Sequence, residues 1–264
     1  MALNLNFTSW MDVSNNQLTG QLQGNIGNVL PNISHLDLSK NGFQGCLPPS
    51  IGNMSLLEVL DVSFNNFSGE VPKELLAGCL RLLILKLSYN NFHGHLFSSH
   101  FNLTNLGILK INDNKFSGTL SNVLFKCSGS LSFLDASNNS MSGKIPNWIC
   151  NQTNIGSVLL LRDNFFKGQI SCETIYLNFL DLSHNLLSGS LPSWSRKGFI
   201  NHIHLEENFF SGSIPKGFLN VSDLLVLDIS HNKLSGNIPN SIGKLSSLKI
   251  LLLRGNNLSG TIPT

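Results

Sequence analysis

Histidine and carboxylate side chains are concentrated in one short stretch of the chain, where His202, His204 and Glu206 alternate with apolar residues. This alternation predicts a β-strand with one buried face, which places all three polar side chains on the other face. Imidazole and carboxylate are metal ligands by type. Same-face residues of a strand are about 7 Å apart, so three ligands along one straight strand cannot converge on one ion. We therefore expect no metal site and no cofactor, and we interpret the histidines as a pH-sensitive contact.

Two lysines mark a second group of polar residues with a potential role in binding. Lys86 and Lys110 occupy equivalent places in two similar segments, and Tyr89 and Asp113 lie shortly after them. If the segments are neighbouring strands, the like charges repel each other, and an anion or an acidic ligand would be favoured there. The alternative is sequence drift on a solvated face. By the same comparison of segments, the histidine group extends to further candidate ligand-binding residues: Arg162, Phe165 and His184.

Composition and motifs argue against several classes of function. The net charge is +2 and only 12% of residues are charged, which gives no nucleic-acid footprint and no basic patch for membrane insertion. No apolar run approaches the length that spans a bilayer. The sequence has neither Gly-x-Ser-x-Gly nor a Gly-rich phosphate loop, and its His, Asp and Ser residues fall in repeated columns. We therefore expect that the chain is not an enzyme.

The segments that position these side chains are copies of one repeat. A conserved spacing defines it: Gly stands four residues after an anchor Asn, and Leu, Ile or Val stands six after it. Successive anchors are 21 to 25 residues apart. The eleven anchors are Asn16, Asn41, Asn65, Asn90, Asn114, Asn139, Asn164, Asn185, Asn208, Asn232 and Asn256.

Each column of the repeat has a physical interpretation. Apolar residues five and three before the anchor, such as Leu36 and Leu38, predict a short strand with one buried face. The anchor amide is expected to bond backbone groups of its own and the adjacent turn, which would form a ladder. The bulky residue two after the anchor, often Phe, is expected to stack into a spine. The Gly permits backbone angles that other residues avoid.

One repeat cannot bury its apolar face alone, so neighbouring copies must stack. The predicted fold class is an α/β-type repeat solenoid, with a concave parallel β-sheet and a mostly irregular or 3-10 convex side. We predict a single domain over residues 1–264, with about eleven repeats and no capping domains. The 21-residue interval should shorten one crossing and alter the local curvature. The first and last repeats should expose apolar surface, so this fragment should fray or aggregate unless it is capped.

The repeat resembles the plant-specific, 24-residue form of the leucine-rich repeat, whose copies stack into a right-handed superhelix. The copies Leu227 to Pro239 and Leu251 to Pro263 match this form well. Leu134 to Asn139 and the start of the last copy look like the ectodomains of plant receptor-like proteins, which lack a kinase. That family has a signal peptide, a cysteine-bearing cap and a membrane helix. None of these occurs here, so we interpret the chain as a fragment of such an ectodomain.

The resemblance implies a non-catalytic role on the extracellular face of the plasma membrane. The implied partners are a peptide or protein ligand and a co-receptor kinase, in defence or developmental signalling. The alternative is a secreted leucine-rich-repeat inhibitor of a microbial cell-wall-degrading enzyme, although such inhibitors are shorter and carry cysteine caps. A third alternative is a truncated gene product without a folded role.

Modification sites fit a secreted protein. Four glycosylation sequons fall in the predicted convex return paths, at Asn53, Asn102, Asn151 and Asn220. The sequon at Asn138 would put a sugar near the concave face, and we expect it to be unused. Five cysteines form no disulfide framework. Cys150 could approach Cys127 or Cys172 in a neighbouring turn, and isolated buried thiols are the alternative.

Overall fold

The alternating apolar residues of each repeat form a short parallel strand, as the sequence predicts. The computed structural model describes residues 7–127, 129–151, 157–172, 174–194 and 198–263. The chain divides into two units, Met1–Ser140 and Met141–Thr264. In the first unit these strands are Trp10–Asp12, His35–Asp37, Val59–Asp61, Ile84–Lys86, Ile108–Lys110 and Phe133–Asp135. In the second they are Val158–Leu160, Phe179–Asp181, His202–His204, Val226–Asp228 and Ile250–Leu252.

A second set of parallel strands follows each anchor Asn, where the sequence analysis expected only a bulky residue and a turn. In the first unit these are Thr19–Gly20, Gly42–Gly45, Asn66–Gly69, Asn91–Gly94 and Lys115–Thr119. In the second they are Ser140–Gly143, which begins at the unit boundary, Phe165–Gly168, Leu186–Gly189, Phe209–Gly212, Lys233–Asn237 and Asn257–Ser259. Each unit therefore contains two parallel sheets, called here the first and the second sheet, and the predicted leucine-rich-repeat solenoid is confirmed.

The anchor amides form the predicted ladder between the two sheets. The Nδ2 of Asn65 donates to the carbonyl oxygens of Leu38 in the preceding repeat (2.9 Å) and of Val62 and Ser63 in its own. Its Oδ1 accepts the backbone N–H of Phe43 at 3.0 Å. Each such Asn thus bonds backbone groups of two repeats.

The aromatic spine is also present. In the first unit Phe43, Phe67, Phe92 and Phe116 stack in sequence, with ring centroids 6.1 Å apart and planes within 13° of parallel. In the second unit the equivalent Phe166 and Phe210 are fully buried. The core of each unit lies between its sheets and return segments, so the outer face of the first sheet is left to solvent. We call this outer face the strand face.

The return segments are short, mostly 3-10 helices, as predicted for the convex side. Among the residues that the structure describes, the α-helices are Ile26–Val29 and Lys73–Gly78, and the 3-10 helices are Pro49–Asn53, Asn122–Cys127, Asn147–Asn151, Lys216–Leu219 and Asn240–Lys244. The second unit adds a two-stranded ribbon that the sequence did not predict, Gly198–Phe199 with Val221–Ser222. Within the described ranges, no helix is long and apolar enough to cross a bilayer.

The return segments pack through glycines that approach a neighbouring backbone, and this leads to a testable prediction. A Cβ on Gly52 would lie 2.4 Å from the carbonyl oxygen of Glu74 in the next helix. We expect Gly52→Ala to lower the free energy of unfolding by about 1–3 kcal/mol, because the two helices must move apart. Urea titration followed by circular dichroism measures this.

The last repeat supplies a matched control for this prediction. Gly243 has the same place in the sequence pattern, Ser-Ile-Gly, and a Cβ there would meet nothing within 4 Å. Gly243→Ala should therefore be neutral or stabilising by up to about 1 kcal/mol. Equal losses at both positions would mean that the close approach at Gly52 is not the cause.

Candidate functional site

The default residues of the strand face have a structural role, so departures from them are the first candidates for binding. Asp61 shows the default: its Oδ1 accepts the backbone N–H of Ser63 at 3.0 Å and also its hydroxyl at 2.6 Å. Asp181 and Ser183 repeat the arrangement. Because this Asx turn closes the end of the strand, the Asp and Ser columns are explained without a ligand.

The first departure is the pair of lysines in the first unit. Lys86 and Lys110 stand directly opposite each other in neighbouring strands, as the repeat columns predict. Their ammonium groups contact residues on opposite neighbouring strands. Lys86 Nζ lies 2.9 Å from Asp61 Oδ2 on the preceding strand, and Lys110 Nζ lies 4.8 Å from the ring centre of Phe133 on the following one.

These contacts change the basis of the anion prediction. The sequence argument treated the two lysines as a bare positive pair, whereas Asp61 already neutralises Lys86. Asp61 is 93% buried by side-chain area, so the pair is partly shielded from water. Lys110 contacts an aromatic ring, and it also stands opposite Asp135 on the following strand, where burial raises the pKa of the Asp135 carboxyl and the charge of Lys110 opposes that rise. An acidic ligand therefore stays a prediction that rests on Lys110.

A groove of about 550 Å³ runs along the strand face of the first unit. Lys86, Tyr89 and Lys110 line it, so three of the four predicted residues of this group come together. Sequence reasoning missed Phe64, whose ring stacks on Tyr89 at a centroid distance of 4.3 Å. Both rings are 46% exposed. The groove thus combines an exposed aromatic pair with charges of both signs.

The residue immediately before each anchor has a left-handed backbone, which the sequence analysis did not predict. The φ angle is 54° at Phe64 and Tyr89, 55° at Asp113 and 52° at His184. An L-residue in this conformation costs roughly 1–2 kcal/mol. The signal was present, because Asn, which tolerates this conformation, occupies the column at Asn15 and Asn138. Three of the predicted site residues therefore share one strained turn position.

Asp113 does not line the groove. Its Oδ1 accepts the amide of Asn138 at 2.6 Å, and its Oδ2 accepts that of Asn112 at 2.7 Å. Asn138 is exposed, and its amide nitrogen, the atom that would carry a glycan, is engaged in this hydrogen bond. The structure therefore gives Asp113 two partners within the protein rather than a free carboxylate.

The second group of predicted residues lies in the second unit, and most of it comes together. Arg162 Nε donates a hydrogen bond to Asp163 Oδ2 at 2.9 Å. This bond and the charge of Asp163 raise the pKa of Arg162, and the charges of Asp181 and Glu206 raise it further. Burial raises the pKa of Glu206, but the contact with His204 and, to a smaller extent, the interaction with His184 lower it overall. Phe165 is 53% exposed and begins a strand of the second sheet, away from the first-sheet strand that carries the histidines.

The two strand histidines differ in environment. Both pack against Phe179 of the preceding strand, with centroid distances of 4.9 Å for His202 and 5.2 Å for His204. Burial and the charge of His204 lower the pKa of His202. The contact with Glu206 raises the pKa of His204, although burial opposes this. The two environments therefore act in opposite directions: that of His204 favours the charged imidazole and that of His202 the neutral one.

Glu206 belongs to a cluster that spans two strands. His204 Nδ1 lies 3.7 Å from Glu206 Oε2, which is an ion-pair distance and too long for a hydrogen bond. Asp228 lies opposite His204 on the next strand. One donor atom each of His204, Glu206 and Asp228 lies within 4.8 Å of the others. The sequence analysis missed Asp228 because it compared ligands along one strand only.

The predicted glycosylation sites lie on return segments. Asn53, Asn102 and Asn220 are exposed. Asn53 ends the helix Pro49–Asn53, and its amide donates to Asn28 Oδ1 at 2.8 Å. Asn151 ends the helix Asn147–Asn151, and its side chain lies outside the described residues. Use of these four sites stays a prediction.

The cysteines differ in state. Cys46 is exposed and free, whereas Cys79 is free and buried, and burial raises the pKa of its thiol to about 11. Cys172 is disulfide-bonded, so the interpretation as isolated thiols does not hold for it. The side chain of Cys150, its predicted neighbour, lies outside the described residues, as does that of Cys127, the other predicted neighbour of Cys150.

Comparison with known sequences agrees with this repeat. Two family profiles, both described as leucine rich repeat, match the chain at residues 200–258 and at residues 32–54, 56–77, 130–152 and 176–197. Together these segments cover more than half of the chain. Receptor-like protein 9a of Arabidopsis thaliana is 59% identical over 44 residues, and receptor-like protein 14 is 50% identical over 50 residues. The matched segments span about 17–19% of this chain and only 5% of each relative.

Similar solved structures cover nearly the whole chain. The plant peptide hormone receptor RGFR1, in complex with RGF2, matches 96% of it with 31% identity and a TM-score of 0.80. The ectodomain of the Arabidopsis receptor kinase HAESA, in complex with an IDA peptide hormone, matches 96% with 34% identity and a TM-score of 0.81. The chain spans 44% and 42% of those two structures. It therefore belongs to the leucine-rich repeat family and is similar to the ectodomains of plant receptor-like proteins and receptor kinases.

Proposed function

We propose that this chain is a non-catalytic ligand-recognition segment of a plant cell-surface receptor-like protein. It binds a peptide or protein signal on the strand face, and the parent protein signals from the extracellular face of the plasma membrane together with a co-receptor kinase. The single observation that carries the proposal is the groove of the first unit, in which charged and aromatic side chains depart from the Asp and Ser defaults. The similar ectodomains whose structures contain peptide hormones support the type of ligand.

The groove is suited to an extended peptide rather than to a small molecule. It is open and polar, and its walls come from successive strands about 4.8 Å apart. A peptide laid across these strands meets a new row of side chains at each step. The aromatic pair Phe64 and Tyr89 offers a hydrophobic anchor, and Lys110 offers a counter-charge for an acidic residue. Large aromatic anchors and a few charges supply most of the binding energy at such surfaces.

The histidine group of the second unit is proposed as a further contact for the ligand or the co-receptor. Arg162, His184, His202, His204 and Glu206 give this strand face a charge pattern unlike that of the first unit. Phe165 stays a candidate at the edge of the second sheet. The exposed sequons at Asn53, Asn102 and Asn220 fit glycosylation of a secreted parent without covering the strand face.

A binding assay with matched variants tests the proposal. A panel of fluorescently labelled synthetic secreted plant peptides, both acidic and neutral, is titrated with the whole chain. For any peptide that binds, we expect Tyr89→Ala and Lys110→Ala each to weaken binding about fivefold to tenfold, since each removes about 1–1.4 kcal/mol of contact energy. Lys110→Ala should weaken the acidic peptides most.

The control is a lysine off the strand face. Lys115 is exposed at the start of a second-sheet strand and carries the same charge as Lys110. Lys115→Ala should leave the affinity unchanged. Equal loss with Lys115→Ala would indicate nonspecific charge attraction, and no loss with Tyr89→Ala or Lys110→Ala would place any binding outside the groove. Either result contradicts the proposal.

A further inference from the structure

Three side chains that can ligate a metal converge on the strand face of the second unit. His204 and Glu206 stand two residues apart on one strand end, and Asp228 stands opposite His204 on the next strand. Their donor atoms all lie within 4.8 Å of one another. Within the described part of the chain, no other set of three His, Cys, Asp or Glu residues comes this close. The cross-strand partner removes the objection that ligands along one strand cannot converge.

One oxygen in this cluster lacks a partner. Glu206 Oε2 is buried from solvent and accepts no hydrogen bond. His204 Nδ1 lies 3.7 Å from this oxygen, which is an ion-pair distance rather than a hydrogen bond. Leaving a buried carboxylate oxygen unpaired costs more than leaving a neutral acceptor unpaired. A cation between the three side chains would remove that cost.

The surrounding charges also favour a cation. Asp181 and Asp228 stand opposite His204 on the two neighbouring strands, and Glu206 follows it two residues later. In the first unit the equivalent Asp61 has Lys86 as its partner. Here Arg162 is hydrogen-bonded to Asp163, and it influences Asp181 and Glu206 by its charge alone.

The donor set selects the type of ion. Calcium prefers six to eight oxygen ligands, whereas imidazole suits zinc and its first-row neighbours. Three protein ligands around Zn²⁺ leave a fourth position for water or for a group of a bound ligand. Bonds of about 2.0–2.2 Å require the donor atoms to close by about 1–1.5 Å, which the long Glu206 side chain permits. We propose that His204, Glu206 and Asp228 bind one divalent transition-metal ion, with Zn²⁺ as the best fit.

The experiment uses the metal without any peptide. A negative result would therefore refute the metal site and leave the proposed peptide binding untouched. The whole, metal-free chain is titrated with ZnCl₂ by calorimetry, and Co²⁺ serves as a spectroscopic substitute whose visible absorption reports its ligands. We expect one equivalent to bind. His204→Ala and Asp228→Asn should each weaken the affinity at least about tenfold, because removing a direct ligand should cost no less than removing an outer-shell partner. Both should also weaken the Co²⁺ absorption.

A second His–Glu pair in the same unit provides the matched control. His231 Nδ1 lies 3.8 Å from Glu207 Oε1, nearly the separation of His204 and Glu206, but this pair belongs to no group of three in the described residues. His231→Ala should bind Zn²⁺ like the unmodified chain. Glu206→Gln provides a third ligand variant of unchanged shape, and thermal melting without metal checks that every variant folds.

Each possible result of these titrations either supports the metal site or overturns it. No saturable binding, several equivalents of equal weak affinity, or equal losses with His231→Ala and His204→Ala would each overturn the site. Binding that persists in folded His204→Ala and Asp228→Asn would also overturn it. Loss in the three ligand variants alone, with normal melting before metal is added, would support it.

Discussion

Asn185→Ala is expected to lower the free energy of unfolding by about 3 kcal/mol, because one side chain satisfies backbone groups in two repeats. Its Nδ2 donates to the carbonyl oxygens of Leu161 (3.0 Å), Leu182 (3.2 Å) and Ser183 (3.0 Å). Its Oδ1 accepts the N–H of Phe166 at 3.0 Å. Asn185 is 4% exposed, so water cannot replace these bonds. The three carbonyls keep donors in Asn164, Asn208 and the Asp163 N–H, whereas the Phe166 N–H is left unpaired at a cost of about 1–3 kcal/mol.

The first repeat provides the control for the ladder. Asn16 occupies the same column but is exposed, and the described hydrogen bonds of its side chain reach only Val13 and Ser14 of its own turn. Asn16→Ala should cost less than about 1 kcal/mol, since solvent takes over both carbonyl groups. Urea unfolding measured by circular dichroism compares the two variants. Equal losses of unfolding free energy would show that the hydrogen bonds between repeats do not account for the stabilisation by the ladder.

The first sheet could be predicted from the sequence because particular residue types mark each of its strands. Each strand needs apolar residues at alternate positions and an Asn at its end, and both are visible in every copy. The second sheet carries no such signal: a segment such as Asn66–Gly69 has one buried Phe among small and polar residues. It becomes a strand because stacking holds equivalent backbones within hydrogen-bonding distance, which is a tertiary effect that overrides weak local preference.

The same distinction holds for the candidate site. Repeat columns predicted correctly that Lys86 and Lys110 face each other, because register follows from equal spacing. They could not show that Lys86 contacts Asp61 and that Lys110 contacts Phe133, because a long side chain can reach the strand on either side of its own. Asp228 was within reach of column reasoning, because it occupies the column of His204 one repeat later. Restricting the ligand search to one strand concealed it.

Phe92→Ala is expected to have the largest effect on stability, about 3–5 kcal/mol, because it removes a fully buried ring from the middle of the spine. The ring stacks on Phe67 and Phe116 at 6.1 Å on either side, so the cavity borders two repeats at once. The backbone N–H of residue 92 still reaches Asn114 Oδ1 in the variant, so the asparagine ladder keeps its bonds and the loss reports packing alone.

Two further substitutions separate packing from the mere presence of an aromatic ring. Leu already fills the spine column in the second unit, where Leu187 and Leu234 are fully buried. Phe92→Leu should therefore cost no more than about 1.5 kcal/mol. Phe165→Ala removes a 53% exposed ring from a second-sheet strand and should change stability by less than about 0.5 kcal/mol. Urea unfolding of the three variants gives the order. If Phe92→Leu were as damaging as Phe92→Ala, ring stacking rather than filled volume would hold the repeats together.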